Sequence, residues 1–314
     1  MLTDSIEEVL RRAAEYAAFP LWTATDRTPP SPIPRAIPFV WPYAPLRELL
    51  LRASDLITAE EARRRVFRLL NPGTQGSCTT DTLFAGLQCI LEGERAPAHR
   101  HTPFALRFII EGNGAFTSVD GERLWMEPGD LILTPSWTYH DHQKDGPGPM
   151  IWLDGLDVPL FAFLRIGFQE NWSPARSTLV DAQPDTSLRF PWPEMRARLL
   201  AEPGPYAVLP YLHRLTGAPI SRTIGARAER LDRGGVTPRR QHTASHIYNV
   251  IAGHGRSTIA DTVLEWGPGD TLAIPAWHVH AHENTGDETA FLFAYSDRPL
   301  LENLGLYREG VPGA

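Results

Sequence analysis

At 314 residues with 42% apolar side chains, the chain is long enough for about two domains with sizeable cores. Its 30 Lys+Arg against 37 Asp+Glu give a net charge of −7, so nothing global favours nucleic acid or an anionic membrane as partner. An anionic substrate would need local arginines. The acidic start of the chain, the lack of any apolar run of membrane-spanning length and only two cysteines, Cys78 and Cys89, predict a soluble cytoplasmic protein without a disulfide framework.

Ser5 and Glu8 form a capping-box pattern ahead of Ile6, Val9, Leu10, Ala13, Ala14 and Ala17 at helical spacing, which predicts a scaffold or contact helix. Prolines crowd residues 28–42 and predict an extended segment lying over something larger. Thr58 and Glu61 start a second predicted helix that Asn71-Pro72-Gly73 stops, and on it sit Arg63, Arg64 and Arg65. Residues 82–91 read as a strand with Phe84, Gly86 and Gln88 on one face. Further strand-like runs at 104–110, 115–119, 131–134 and 150–153, separated by glycine turns, have the habit of an antiparallel sandwich or barrel. Prolines then surround one short helical patch at 194–200, and residues 167–205 read as an inter-domain connection.

The chemistry concentrates in residues 93–142. His99 and His101 face the same side of a strand because strand side chains alternate, and His140 on a later strand completes three imidazoles that converge on one metal face. Convergent spacing and flanking corners set this reading above ordinary barrel histidines. Arg107 has the parity of His99 and His101, so its guanidinium would face the same cavity and fork onto a carboxylate; a surface arginine is the alternative. His142 shares the parity of His140 and is otherwise a loop histidine. The pattern then returns. Gly253 follows Gly112 by 141 residues, and Gly269-Asp270, Pro275, Trp277 and His280 each follow Gly129-Asp130, Pro135, Trp137 and His140 by 140. The chain reads as two copies of one barrel.

These residues resemble the cupins, whose motifs are G-x5-H-x-H-x3-4-E-x6-G and G-x5-P-x-G-x2-H-x3-N. Here they read Gly93, His99, His101 and Gly112, with Ala105 or Leu106 in place of the glutamate, and Gly129, Pro135, Trp137 and His140. With three histidines in its first site the chain is similar to the gentisate 1,2-dioxygenase family, which includes salicylate and 1-hydroxy-2-naphthoate dioxygenases. The likeness rests on residues 83–88, 97–102, 105–108, 134–137 and 152–157.

The resemblance implies a mainly β bicupin: two antiparallel β-barrels of the double-stranded β-helix or jelly-roll kind with an N-terminal helical arm. The arm would span 1–74, the iron-bearing barrel 75–166, the connection 167–205, and a C-terminal barrel with a degenerate site 206–314. It implies Fe(II) on His99, His101 and His140, with Arg107, His142 and Asp154 catalytic. Arg64 or Arg65, Phe84, Gly86, Gln88 and Trp152 would join Arg107 and His142 around the substrate. Three neutral imidazoles leave the iron's charge uncompensated and keep positions open for a chelating anion and dioxygen. The implied partners are a small aromatic hydroxy acid, dioxygen and further copies of the chain, as dimer or tetramer.

The implied reaction opens gentisate between the carboxyl-bearing and adjacent hydroxyl-bearing carbons to maleylpyruvate. The stretch around Phe84 is more gentisate-like than the tryptophan-bearing salicylate version. Salicylate, nitro- or halosalicylates, substituted gentisates and 1-hydroxy-2-naphthoate are alternative substrates, and a metal-binding ligand-binding or storage cupin is the non-enzymatic alternative. In the second copy Arg240 replaces the first histidine, while His242 and His280 stay and His246 takes the glutamate slot, which leaves a second metal open.

Overall fold

The computed structural model describes all residues except 1–4, 24–27, 63, 173–178 and 312–314, so the first residues and Arg63 of the sequence reading lie outside it. The chain divides into two compact units, Met1–Ile33 and Pro34–Ala314. The first carries helix Ile6–Glu15, capped by the Ser5 side chain, which accepts from the Glu8 amide at 3.3 Å. No residue of that helix is buried.

The second unit is two jelly rolls. In the first, strands 189–190, 131–134, 105–111, 150–156, 84–90 and 65–68 lie side by side in that order, and 169–171, 95–101, 140–144, 115–119, 122–126 and 180–181 form the other six-stranded sheet. All pairs are antiparallel except Val180–Asp181 against Glu122–Met126. The second copy has a six-stranded sheet of 39–41, 271–274, 246–252, 290–296, 225–231 and 206–211 and a three-stranded sheet of 262–266, 255–259 and 280–284. No described helix is long and apolar enough to cross a membrane. Both cysteines are free and buried.

The strands foreseen from alternation form within a few residues of their expected positions, 115–119 and 131–134 without change. The helix expected from Thr58 to Asn71 is corrected. Its capping box forms, with the Glu61 amide 3.2 Å from Thr58 Oγ1 and the Thr58 amide 3.0 Å from Glu61 Oε2, but the helix spans only Ala59–Ala62. The chain then turns into strand Arg65–Arg68, which pairs with Phe84–Ile90: a ladder along an existing sheet edge outweighs local helical preference. Helix Tyr43–Leu56 follows a proline, Pro42, at its N-cap and was not foreseen.

Short stretches on either side of the first barrel, 39–41 and 189–190, are built into the sheets. Strand Phe39–Trp41 joins the second barrel through Thr271–Ile274, whereas Arg189–Phe190 of the connection joins the first through Leu131–Thr134. Each such strand runs through a proline into an aromatic-led helix whose first amide is caught by an aspartate, buried in the case of Asp130 and partly buried in that of Asp270. Asp270 Oδ1 accepts from the Tyr43 amide at 2.7 Å, and Asp130 Oδ1 from the Trp192 amide at 2.8 Å. Beside them Gly269 (φ +84°) and Gly129 (φ +88°) leave no room for a side chain: a Cβ would lie 2.4 Å from the Tyr43 ring and 2.5 Å from the Trp192 ring.

A second matched pair ties the barrels together. Asp157 accepts from its own barrel's Phe104 amide at 2.9 Å and from Thr223 at 2.5 Å, while Asp297 accepts from the Ser245 amide at 2.8 Å and from Thr82 at 2.5 Å. Between these clasps the cores merge, with Phe108 stacked on Phe293 at 4.3 Å and the Tyr295 hydroxyl donating to the Phe84 carbonyl at 2.7 Å.

Gly129→Ala and Gly269→Ala should each lower stability by about 2 kcal/mol, since both the left-handed φ and the ring oppose a methyl group; an unchanged thermal midpoint would contradict this. Burial pushes the Asp297 carboxyl up to about 6, against the hydrogen bonds from Thr82 and Ser245. A carboxyl raised in the folded state contributes stability fully below its unfolded value near 4 and loses it as pH climbs through about 6. Asp297→Asn removes that loss, so between pH 4 and 7 the variant should gain on the wild type by on the order of 3 kcal/mol in urea unfolding. Parallel pH profiles would refute it.

Candidate metal centre

His99, His101 and His140 come together with their ligand nitrogens all within 4.8 Å of one another. Strand Arg95–His101 pairs with His140–Lys144, and a register shift between Ala96 and His99 sets His99 directly across from His140. The ring centroids are 4.1 Å apart for His99 and His140, 4.8 Å for His101 and His140, and 5.5 Å for His99 and His101.

Each Nδ1 faces a backbone carbonyl: Pro97 at 3.2 Å for His99, Pro103 at 2.8 Å for His101 and Thr138 at 3.1 Å for His140. A carbonyl only accepts, so each Nδ1 carries the proton and each Nε2 is an acceptor, that of His99 already facing the Arg64 guanidinium. His140 Nε2 is buried without a hydrogen-bond partner. Burial first, then the Arg64 charge, holds the His99 imidazolium pKa down at about 3; burial and Arg107 hold that of His101 at about 4. His140 is likewise lowered well below the usual range, by burial and then Arg107. The rings are neutral near pH 7. A neutral triad with one orphaned lone pair fits a divalent metal.

The turn before His140 is strained. Trp137 stands at the glycine position of the cupin pattern and takes a left-handed φ of +66°, costing about 1–2 kcal/mol for a non-glycine residue. It is held by its amide donating to the His101 carbonyl at 2.9 Å, by the Phe168 ring at 4.5 Å and by Arg100 at 4.3 Å.

Arg107 is buried, donates to Thr134 Oγ1 and lies 3.6 Å from Asp154. Its pKa falls to about 10, first through burial, so it stays charged near neutrality. Asp154 pairs across strands with both Arg107 and Gly86, and its Oδ1 accepts from Trp152 Nε1 at 2.9 Å. Burial raises the Asp154 carboxyl while Arg107 and the Trp152 bond lower it. His142 is buried beside Trp152 at 5.2 Å, with Nδ1 2.9 Å from Thr117 Oγ1. Gln88 pairs with Trp152 across the ladder, and its side chain makes no hydrogen bond among the described residues. Gly86 packs under Phe84 and Val66, where a Cβ would come within 2.7 Å of Val66.

Of the two arginines left open, Arg64 reaches the triad. Its stem is exposed but its guanidinium lies against the His99 ring nitrogens. Arg65 is corrected: it points to the opposite side, ion-paired with Glu94 and donating to the carbonyls of Ser54 at 3.1 Å and Ile57 at 3.3 Å. It is a structural residue. Thr117, Thr134 and the three carbonyl partners escaped the sequence reading, because only the strand register shows which residue faces which. In the second barrel His242, His246 and His280 do not bring their nitrogens together as the first triad does, and the only such cluster among the described residues is His99, His101 and His140.

Comparison with known proteins agrees with this geometry. The Cupin domain family matches residues 86–157 and 228–295. The chain is 35% identical to gentisate 1,2-dioxygenase 1 of Aquipseudomonas alcaligenes over 98% of its own length and 97% of the relative's. It is also 35% identical to 5-aminosalicylate 1,2-dioxygenase of a Comamonas species, over 87% of this chain and 81% of the other. The crystal structure of a salicylate 1,2-dioxygenase from Pseudaminobacter salicylatoxidans aligns over 100% of both chains with a TM-score of 0.90 and 28% identity.

His140→Ala should abolish stoichiometric binding of a divalent metal, measured by elemental analysis after incubation with ferrous iron and desalting. Retention of one equivalent would show that the triad is not the holder.

Proposed function

Because the chain belongs to the gentisate dioxygenase family of two-barrel cupins, we propose that it is an Fe(II)-dependent ring-cleaving dioxygenase acting on a small aromatic hydroxy acid, with gentisate the first choice. The observation that carries the reading is the neutral triad itself: an orphaned, buried His140 Nε2 on a face whose nearest charges are guanidinium groups. When bound, the iron supplies positions for a carboxylate, its neighbouring phenol oxygen and dioxygen, together with the electrons that dioxygen chemistry needs.

The chain's own residues orient the substrate. Arg107, held by Thr134 and Asp154, and Arg64 at the rim draw the carboxylate into a site from which water is largely excluded. The Thr117 hydroxyl donates to Met126 Sδ at 3.7 Å and its oxygen accepts from His142 Nδ1, so Nε2 is free to accept the phenol proton. Phe84 and Trp152 wall the flat ring, and the Gln88 amide has hydrogen-bonding capacity to spare. Cleavage breaks the bond between the carboxyl-bearing carbon and the adjacent hydroxyl-bearing carbon, and both oxygen atoms enter the product; gentisate gives maleylpyruvate.

Salicylates form the second reading, supported by the equal identity to the aminosalicylate-named relative. We also place the enzyme in the cytoplasm and as a dimer or tetramer. The two free buried thiols and the exposed apolar run of Phe163, Leu164, Ile166 and Phe168 support this.

Iron-loaded protein should consume dioxygen and form a ring-cleavage absorbance with gentisate faster, per bound iron, than with 5-aminosalicylate, salicylate or 1-hydroxy-2-naphthoate. No absorbance with any of the four sinks the dioxygenase reading. Arg107→Ala should keep its iron and raise KM at least tenfold, and His142→Ala should keep its iron and lose about 100-fold in kcat. Unchanged constants would remove these residues from the site.

A further inference from the structure

The two barrels differ in the side chains that their matched ladders place at equivalent positions. Phe84 pairs with Leu156 as Gly225 pairs with Ser296, so Arg227 occupies the position of Gly86, Glu229 that of Gln88 and, by the same register, Tyr248 that of Arg107. The Arg227 guanidinium donates to His246 Nε2 at 2.7 Å and to the Tyr248 hydroxyl, and pairs with the buried Glu229 at 2.6 Å. A guanidinium cannot accept, so His246 Nε2 is the acceptor and the ring proton sits on Nδ1. That Nδ1–H is buried and has no partner.

The same histidine lines a cavity of about 440 Å³ together with Arg227, Arg239, Arg240, His242 and Arg298. Four guanidinium groups face three carboxylates. Glu229 serves both Arg227 and, at 3.8 Å, Arg240; Glu302 pairs with Arg298 at 2.7 Å; Glu309 accepts from the Tyr307 hydroxyl at 2.8 Å. Arg239 is exposed and has no ion pair among the described residues. A metal does not suit this arrangement, since His242, His246 and His280 do not bring their nitrogens together and Arg240 stands where the first barrel has His99. An orphaned donor among surplus guanidinium groups calls for an acceptor with negative charge. We propose that the second barrel is a binding site for a small oxyanion, carboxylate or phosphate, held by Arg239, Arg240 and the His246 Nδ1–H. The proposal stands apart from the reading of the first barrel.

Isothermal titration calorimetry of the full chain with sodium phosphate and, separately, sodium succinate tests it, and the tighter of the two identifies the kind of anion. One equivalent should bind, with affinity reduced at least tenfold in Arg239→Gln and Arg240→Gln and retained in His140→Ala. Arg239 has no partner to lose, so its variant carries the test even if Arg240→Gln, which gives up a 2.8 Å bond to Tyr206, fails to fold. No heat with either anion, unchanged affinity in Arg239→Gln, or loss of binding in His140→Ala would overturn the proposal.

Discussion

Three backbone carbonyls decide what the first barrel can do. By taking the Nδ1 protons of His99, His101 and His140 they turn three Nε2 atoms toward one face, where the Arg64 guanidinium meets that of His99 and that of His140 is left without a partner, and burial keeps those rings unprotonated. The rest of the site follows from that neutrality. With Ala105 or Leu106 where the cupin pattern has glutamate, no carboxylate joins the triad, and the nearby carboxylate, Asp154, is engaged by Arg107 and Trp152. A cation bound there would keep its full charge, and two guanidinium groups add to the pull on an anion.

The barrels also share a frame that the local chemistry does not disturb. Asp130 and Asp270 each catch the first amide of a helix, and Asp157 and Asp297 each accept from a threonine of the opposite barrel. Because the clasps are reciprocal, neither barrel's rim can move without straining the other. The aromatic of one copy sits on the backbone of the other, as Tyr295 does on Phe84 and against Gly155. On this common frame glycine at 86 gives way to arginine at 227, whose guanidinium pairs with Glu229, His246 and Tyr248.

Much of this was legible in the sequence because it is short-ranged. His-x-His alternation, the Gly-Asp to Pro-x-Trp spacing and its recurrence 140 residues later require only local periodicity. What depends on long-range pairing was not. Residues 169–171 and 189–190 look like a tether rich in proline, yet they complete the sheets of the first barrel, and Phe39–Trp41 completes the second. Thr117 is an unremarked strand residue until the register sets it beside His142. The helix Tyr43–Leu56 hides behind Pro42 and Pro45, residues tolerated at a helix start.

Arg64 and Arg65 show how one such pairing reaches the chemistry. Once Ala62 ends the helix, the ladder from Arg65 to Arg68 against the Phe84 strand fixes which way each neighbour points. Arg65 turns inward to Glu94, whose carboxylate also accepts from the Leu91 amide at 2.7 Å, and so pins the corner leading into the His99 strand. Arg64, one residue earlier, is left on the other side, with its guanidinium on His99. Breaking the Arg65 pair would leave a buried charge unmatched and loosen both the histidine strand and the arm. Residues 64–68 therefore bear on the triad: Arg64 brings a guanidinium to His99, and Arg65, which anchors the stretch, faces away from it.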